Sequence, residues 1–141
     1  MKVMVIVKAT EQSEAGVIPS HDVLTKMGRF NEQLLKAGVL LAGEGLHPTS
    51  KGVRMEFPKG TVIDGPFAES KELIAGYWLW QVKSMREAID WMQRSPFREF
   101  PEGEVEIRPV FEADDFGEAF TPELREQEAR VFAQAAAKQR K

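Results

Sequence analysis

Apolar residues follow two different spacings along the chain, and these predict strands and helices. Residues 3–7 form a continuous apolar run, which is typical of a strand covered on both faces. Residues 75–83 predict a second strand of this kind, with aromatic side chains on both faces. Between them, Ser20 is placed to cap a helix that Gly38 is expected to end. The apolar residues of that helix recur at helical spacing: Val23, Met27, Phe30 and Leu34.

Shorter elements complete the pattern. Residues 39–46 predict a strand in which the paired glycines of Gly43-Glu44-Gly45 indicate a bulge or a close backbone approach. Residues 53–57 and 61–63 predict a hairpin, interpreted as an insertion at the edge of the sheet. Residues 104–112 alternate in polarity and predict a last strand.

Two further features locate the second helix and the edge of the sheet. Ser84 and Glu87 have the spacing of a capping box, and Pro96 closes the helix that follows them. Pro109 cannot donate a ladder hydrogen bond, so the last strand is expected at an edge.

The order strand, helix, strand, hairpin, strand, helix, strand predicts an α+β fold of the ferredoxin-like, split βαβ type. Two helices cover one face of such a sheet, whereas the strands at residues 3–7 and 77–82 are apolar on both faces. A second copy of the chain is the simplest cover for the other face, so we expect a homodimer.

The chain is expected to consist of a domain at residues 1–112 followed by an acidic linker and a C-terminal helix at residues 113–141. Thr121 and Pro122 have the residue types of a helix start. The apolar stripe of this helix is thin, so it is expected to be dispensable for the core fold.

Composition narrows the functional classes. The net charge of −3 lacks the basic excess that drives binding to a phosphate backbone, so no direct nucleic-acid binding is expected. The chain has no cysteine, which excludes disulfides and thiol nucleophiles. No apolar run is long enough to span a bilayer and no signal peptide is evident, so we expect a cytoplasmic protein that does not bind membranes.

Two glycine patterns and one set of possible metal ligands are weak evidence for a nucleotide or metal site. Gly43-Glu44-Gly45 lacks the third glycine of a dinucleotide fingerprint, and residues 45–52 lack the lysine context of a phosphate loop. One histidine with scattered carboxylates, His47 with Glu44 and Asp64, makes a weak metal site. The sequence therefore predicts neither a metal nor a cofactor.

The turn Asp64-Gly65-Pro66-Phe67 is the candidate functional site. Glycine and proline stiffen this turn, and the Phe67 ring would place an apolar wall beside ionisable groups. A plain structural turn is the competing interpretation. As a site, Asp64 or His47 would move a proton and Arg54 or Lys71 would hold an anionic group, with Glu44, Phe67 and Glu69 completing the substrate-binding residues.

Trp78 and Trp80 could stack on a planar ligand. Two large aromatic residues alternating along a strand occur more often in a core or a dimer interface. The interface is the interpretation favoured here.

Three stretches of the chain stand out together: residues 43–48, 64–77 and 105–110. They resemble the YCII-related family in its DGPF-domain branch, and the resemblance covers about residues 1–112. It implies a dimeric α+β barrel built from two ferredoxin-like chains. It also implies a pocket with a histidine and an aspartate; Asp64 matches the motif aspartate, and His21 is a candidate for the histidine. Some DGPF domains are fused to sigma factors, which suggests a link to transcription regulation.

Three functions are compatible with these residues. The first is a homodimeric module that binds an unknown small molecule. The alternative is a cofactor-independent enzyme in which Asp64 and His47 perform acid–base chemistry on a small substrate. The third is a purely structural dimerisation domain. The binding module ranks marginally first, because the catalytic inventory is poor and the fold alone supports none of them.

Overall fold

The computed structural model describes residues 1–68 and 72–140, and within them six strands and four α-helices occur. The chain divides into two compact units, Met1–Val110 and Phe111–Lys141. The elements of the first unit, in order, are β1 (Lys2–Lys8), α1 (Glu11–Glu14), α2 (His21–Lys36), β2 (Leu40–Gly45), β3 (Val53–Glu56), β4 (Thr61–Asp64), β5 (Ile74–Gln81), α3 (Met85–Gln93) and β6 (Val105–Pro109).

Four strands form one antiparallel sheet in the order β2-β5-β1-β6. This order, with α2 and α3 as the crossovers, is the predicted ferredoxin-like, split βαβ arrangement. The two strands with apolar residues on both faces, β1 and β5, are central as predicted, and the strand with Pro109 is an edge strand. The predicted hairpin forms as a separate two-stranded sheet of β3 and β4, which lies in the stretch of chain that joins β2 to β5.

The core lies between this sheet and helices α2 and α3. Val3, Val5 and Trp80 project from the sheet and are 0% exposed, and they pack with Phe30 of α2 and Trp91 of α3. Both helices therefore cover the same face of the sheet. Since side chains alternate along a strand, Met4, Ile6, Tyr77 and Leu79 belong to the opposite face.

The interface interpretation of Trp78 and Trp80 was wrong. Both indoles lie in the core beneath α2, where the Phe30 ring meets them edge-on at centroid distances of 5.9 and 6.2 Å. The alternation along β5 was predicted correctly, but the aromatic pair occupies the helix-covered face, where α2 and α3 supply aromatic partners.

Helix starts follow the predicted capping chemistry. Ser20 Oγ accepts a hydrogen bond from the Val23 N–H at 3.2 Å, and Ser84 Oγ accepts one from the Glu87 N–H at 3.1 Å. Each bond satisfies a donor that the first helical turn leaves unpaired. The chain thus enters α2 and α3 at fixed points, which sets where their apolar faces meet the sheet.

The second unit consists of a 3-10 helical segment at Ala113–Ala119 and α4 (Pro122–Lys138). Thr121 caps α4 as predicted, and its hydroxyl accepts from the Leu124 N–H at 3.3 Å. Arg125 fastens the start of α4 to the preceding segment, because its guanidinium donates to the Phe120 carbonyl at 3.1 Å and to the Asp114 carboxylate at 3.0 Å. Within the described parts of the chain, no helix has the length and apolar character needed to cross a membrane.

Candidate functional site

A cavity of about 470 Å³ opens between α2 and the strands β2 and β5. Its volume falls in the range of small-molecule sites, roughly 300–1,000 Å³. Most of its wall is apolar, and Glu44 is the one charged residue among the lining residues that the structure describes. These are Val7, Pro19, Val23, Leu24, Met27, Asn31, Leu40, Gly43, Glu44, Gly45, Ala75, Gly76, Tyr77, Trp78, Phe97 and Phe100.

The Trp78 indole forms one wall and is held in place from two sides. Its Nε1–H donates to Asn31 Oδ1 on α2 at 3.0 Å. On the other side, Gly43 faces Trp78 across the β2–β5 ladder. A Cβ at position 43 would lie 2.8 Å from Trp78 Cδ1, so only glycine leaves room for the ring in this position. The indole plane is therefore fixed before any ligand arrives.

Phe97 and Phe100 extend this aromatic wall. Phe97 contacts Trp78 edge-on at a centroid distance of 6.2 Å, and Phe100 meets Phe97 in the same way at 5.1 Å. Edge-to-face contacts of this kind stabilise a fixed arrangement of rings beyond their buried area. The wall offers an aromatic surface to a ligand.

An ion-pair network ties this wall to α2. Lys26 Nζ lies 3.1 Å from Glu99 and 3.3 Å from Asp22. Hydrogen bonding to Glu99, followed by that to Asp22, raises the pKa of Lys26 above its ordinary value. Glu99 ends the 3-10 turn Pro96–Glu99, so the contact links that turn to the helix on the other side of the cavity.

Polar chemistry in the cavity is sparse. Asn31 Oδ1 is engaged by Trp78, which leaves the Asn31 amide nitrogen to offer two N–H donors. Glu44 and Tyr77 also border the cavity, but they pair across the β2–β5 ladder and their side chains belong to the opposite face of the sheet. The Asn31 amide can orient a planar molecule that carries one acceptor group, and none of the described lining residues is a histidine or a serine.

The predicted site residues occupy different places. Glu44 lines the cavity. Arg54 and Phe67 come together away from it, with the guanidinium carbon 4.0 Å from the ring centroid. His47 is exposed in the connection after β2, and Asp64 is exposed at the end of β4, opposite Val53.

The remaining predicted residues are Glu69 and Lys71, which lie outside the described residues. His21, the candidate counterpart of the family histidine, is exposed at the first position of α2. Whether the Asp64 turn binds a substrate stays a prediction.

Contacts with Thr49 explain why the Asp64-Gly65-Pro66-Phe67 turn has a defined position. Thr49 Oγ1 donates to the Glu14 carboxylate at 2.6 Å and accepts from the Phe67 N–H at 3.1 Å. The Gly65 N–H donates to the Gly52 carbonyl at 3.0 Å. A Cβ at Gly65 would collide with the Thr49 carbonyl oxygen, so the backbones approach too closely for any other residue. The turn is thereby pinned to the β2–β3 connection.

Over residues 1–68 and 72–140, no group of three or more carboxylate or imidazole side chains is placed to hold a metal ion. The α2 side of the cavity and the wall formed by Phe97 and Phe100 were not predicted from the sequence. Asn31 was the available signal, because it is a polar residue four positions after Met27, within the apolar stripe of α2. A polar residue there either pairs inside the core or faces a cavity, and Asn31 does both.

The fold and cavity define a ferredoxin-like α+β protein with an apolar, aromatic-walled cleft of ligand size. The family model of the YCII-related domain matches residues 1–114. An uncharacterized protein of Rhizobium meliloti (strain 1021) is 30% identical over 90 residues, covering 62% of this chain and 73% of the relative. The chain belongs to the YCII-related family.

One solved structure is similar over 79% of this chain and 96% of its own, at 17% identity and a TM-score of 0.44. It is the 5-chloro-2-hydroxyhydroquinone dehydrochlorinase of Burkholderia phenoliruptrix in complex with 2,5-dihydroxybenzoquinone.

Proposed function

We propose that this YCII-related protein is a homodimeric module that binds a small, planar, largely apolar molecule in the cleft between α2 and the sheet. The observation that supports the proposal is the fixed orientation of the Trp78 indole in the cavity wall. The indole is hydrogen-bonded to Asn31, and Gly43 leaves it room, so its orientation does not depend on a ligand. Preorganisation of this kind lowers the entropy lost on binding.

The Asn31 N–H donors supply orientation. A ligand ring stacked between Trp78 and the apolar side of α2 would accept a hydrogen bond from Asn31. Burial of its apolar area supplies most of the affinity, at about 25 cal/mol per Å² before the entropy of association is subtracted. The ligand class is therefore an aromatic ring that carries a hydroxyl or carbonyl group. The net charge of −3 disfavours nucleic acid as the ligand.

The homodimer is proposed on the sheet face opposite the helices. Met4, Ile6, Tyr77 and Leu79 lie on that face, where Ile6 is buried and the other three are half-buried within the single chain, and α2 and α3 both pack on the other face. A second copy with the same surface covers it by two-fold symmetry, giving the barrel that the family resemblance implies. Light scattering tests this: Leu79→Arg is expected to give monomers, and a stable monomer of the unaltered protein would refute the interface.

Leu24 and Leu35 provide a matched pair for testing the cleft. Both lie on α2 and are exposed, at 55% and 65%, but only Leu24 is among the described lining residues. With 1-naphthol as the probe, thermal shift should show stabilisation of the unaltered protein, because a ligand that binds only the folded state stabilises it. Leu24→Asp should abolish the shift and Leu35→Asp should retain it. Equal shifts in both variants would place the probe elsewhere.

A second candidate function is the enzyme with Asp64 and His47 as acid–base residues. Its supporting observation is the pinned turn, which fixes the backbone at Phe67 and Gly65 through Thr49 and Gly52. An exposed carboxylate at the end of a fixed strand could meet a substrate without rearrangement. Turnover of a hydroxylated aromatic compound that is lost in both Asp64→Asn and His47→Gln would favour this function over simple binding.

A further inference from the structure

The side-chain amide of Asn31 is held in one orientation by Trp78. An indole N–H can only donate, so the oxygen of the amide must face it, and Oδ1 lies 3.0 Å from Trp78 Nε1. The amide N–H groups are then turned away from the indole. Asn31 lines the cavity together with Met27, which lies four residues earlier on the same face of α2. The polar group that Asn31 can present to a ligand is therefore a donor and not an acceptor.

The sheet side of the cavity adds no backbone acceptor from strand β2. The Leu46 N–H donates to the Ala75 carbonyl at 2.8 Å. Because paired and unpaired residues alternate along an antiparallel ladder, the backbone groups of Gly43 and Gly45 point away from β5 within the plane of the sheet. They do not point towards α2. Since these two residues also lack side chains, β2 contributes only Cα–H surface to this part of the cavity wall.

Side chains of the other lining residues add no acceptor either. Glu44 and Tyr77 border the cavity, but their side chains belong to the opposite face of the sheet. Apart from Asn31, every other described lining residue is a glycine or has an aliphatic, thioether or aromatic side chain. No lysine or arginine is among the described lining residues. A ligand in the cleft therefore meets the Asn31 donors and otherwise apolar surface.

A wall of this composition favours one kind of polar group on the ligand. A carbonyl oxygen carries no proton, so it can accept from the Asn31 amide and leave no donor unpaired. A hydroxyl brings its own proton, which loses a hydrogen bond unless it stays in contact with water at the mouth of the cavity. A carboxylate would be desolvated without a positive charge beside it, and an ammonium group would face the positive ends of the amide N–H dipoles.

We propose that Asn31, oriented by Trp78, makes the cleft selective for a neutral aromatic molecule with a carbonyl group on or beside its ring. The inference rests on the proposed function and narrows its ligand class from a hydroxyl or carbonyl group to a carbonyl group. The ligand ring lies against Trp78 and Phe97, and its carbonyl oxygen accepts a hydrogen bond from the Asn31 amide. Asn31 is thus a specificity-determining residue, and Trp78 is the residue that sets its polarity.

Asn31→Asp tests the inference, because it replaces the amide donor by an acceptor at nearly constant size. One carboxylate oxygen can still accept from the Trp78 N–H, so the indole keeps its partner. The matched control is Gln33→Glu, which makes the same amide-to-carboxylate change at an exposed position of α2 outside the described lining residues. Three probes share one ring frame and differ in one group: 1-indanone has a carbonyl, indane has none, and 1-aminoindane has an ammonium group. Calorimetric titration near pH 8, where carboxylates are ionised, gives the three Kd values.

The expected result is a change of specificity and not only a loss of affinity. The ratio of the indane Kd to the 1-indanone Kd should fall about tenfold or more in Asn31→Asp, since the carbonyl loses its donor and faces an acceptor. 1-Aminoindane should bind Asn31→Asp more tightly than it binds the unaltered protein. Gln33→Glu should change neither result. A general disturbance of the cleft would weaken all three probes alike and leave the ratio unchanged.

Nuclear magnetic resonance of the unaltered protein gives a second test that does not depend on the stability of a variant. 1-Indanone should move the side-chain amide resonances of Asn31 further than indane does, and it should leave those of Gln33 in place. Equal shifts of the Asn31 amide with both probes, or an unchanged Kd ratio in Asn31→Asp, would overturn the inference. If 1-indanone binds and Leu24→Asp abolishes that binding, such a result refutes the specificity alone. If neither 1-indanone nor indane binds, the proposed function fails together with it.

Discussion

Gly43→Ala tests whether the pairing of Gly43 with Trp78 fixes the position of the indole in the cavity wall. The added Cβ would lie 2.8 Å from Trp78 Cδ1 and 3.3 Å from Trp78 Nε1. The indole cannot yield easily, since Phe30, Trp80 and Phe97 contact it and Asn31 accepts its N–H. Either the ring or strand β2 must move.

The expected cost follows from these contacts. Overpacking a well-filled site costs about 1–3 kcal/mol. If the ring moves, the Trp78–Asn31 hydrogen bond weakens as well, which adds on the order of 0.5–1.5 kcal/mol. Gly45→Ala is the matched control, because Gly45 lies on the same strand and lines the same cavity, yet its Cβ would have no described neighbour within 4 Å. Its effect should stay within about 0.5 kcal/mol or be slightly stabilising.

Urea denaturation of both variants gives the two free energies of unfolding, and binding of 1-naphthol reports the wall itself. We expect Gly43→Ala to lose at least about 1 kcal/mol and to bind the probe more weakly. Equal stability of Gly43→Ala and Gly45→Ala would contradict this expectation, because it would show that Trp78 adapts freely and that the wall is not preset.

Three further predictions address the core, the turn and the second unit. Trp80→Ala should cost about 3–5 kcal/mol in urea denaturation because the side chain is 0% exposed, and a loss below about 1 kcal/mol would contradict the core assignment. Thr49→Val should lower the free energy of unfolding by about 1–3 kcal/mol, because the Phe67 N–H loses its acceptor, whereas Ser50→Ala should leave it unchanged. Equal effects of the two substitutions would show that Thr49 does not hold the turn in place. Truncation to residues 1–112 should retain the fold and a cooperative thermal transition, and an unfolded product by circular dichroism would show that the last segment is integral.

Residue pattern predicted the fold well because the relevant signals are local. Continuous apolar runs identified the central strands β1 and β5, and Pro109 identified the edge strand β6. The dihedral and capping preferences of Ser20, Ser84 and Thr121 likewise act within one turn of the helix that each begins.

The cavity was less predictable because its walls come from distant parts of the sequence. Trp78 and Asn31 are 47 residues apart, and their hydrogen bond depends on which face of β5 the indole occupies. Alternation along a strand shows that Trp78 and Trp80 share a face, but it does not say whether that face meets helices or a partner. The packing of Phe30 and Trp91 on that face identifies it as the one that the helices cover. Glu44 was predicted as a binding residue, and its place in the lining follows from the glycines on either side of it.

Those glycines account for the cavity itself. Gly43 faces Trp78 and Gly45 faces Gly76 across the β2–β5 ladder, so all three glycines lie on the sheet face that α2 covers. A sheet position without a side chain leaves a void under a packed helix, and three neighbouring positions leave room for a ligand. Gly76 also permits close strand pairing, because a Cβ there would lie 2.8 Å from the Glu44 carbonyl oxygen. The Gly-Glu-Gly sequence therefore acts as a spacer: it withholds two side chains from the space beneath α2, while the Glu44 side chain belongs to the opposite face of the sheet. That role needs neither the third glycine nor the following helix that a dinucleotide site requires.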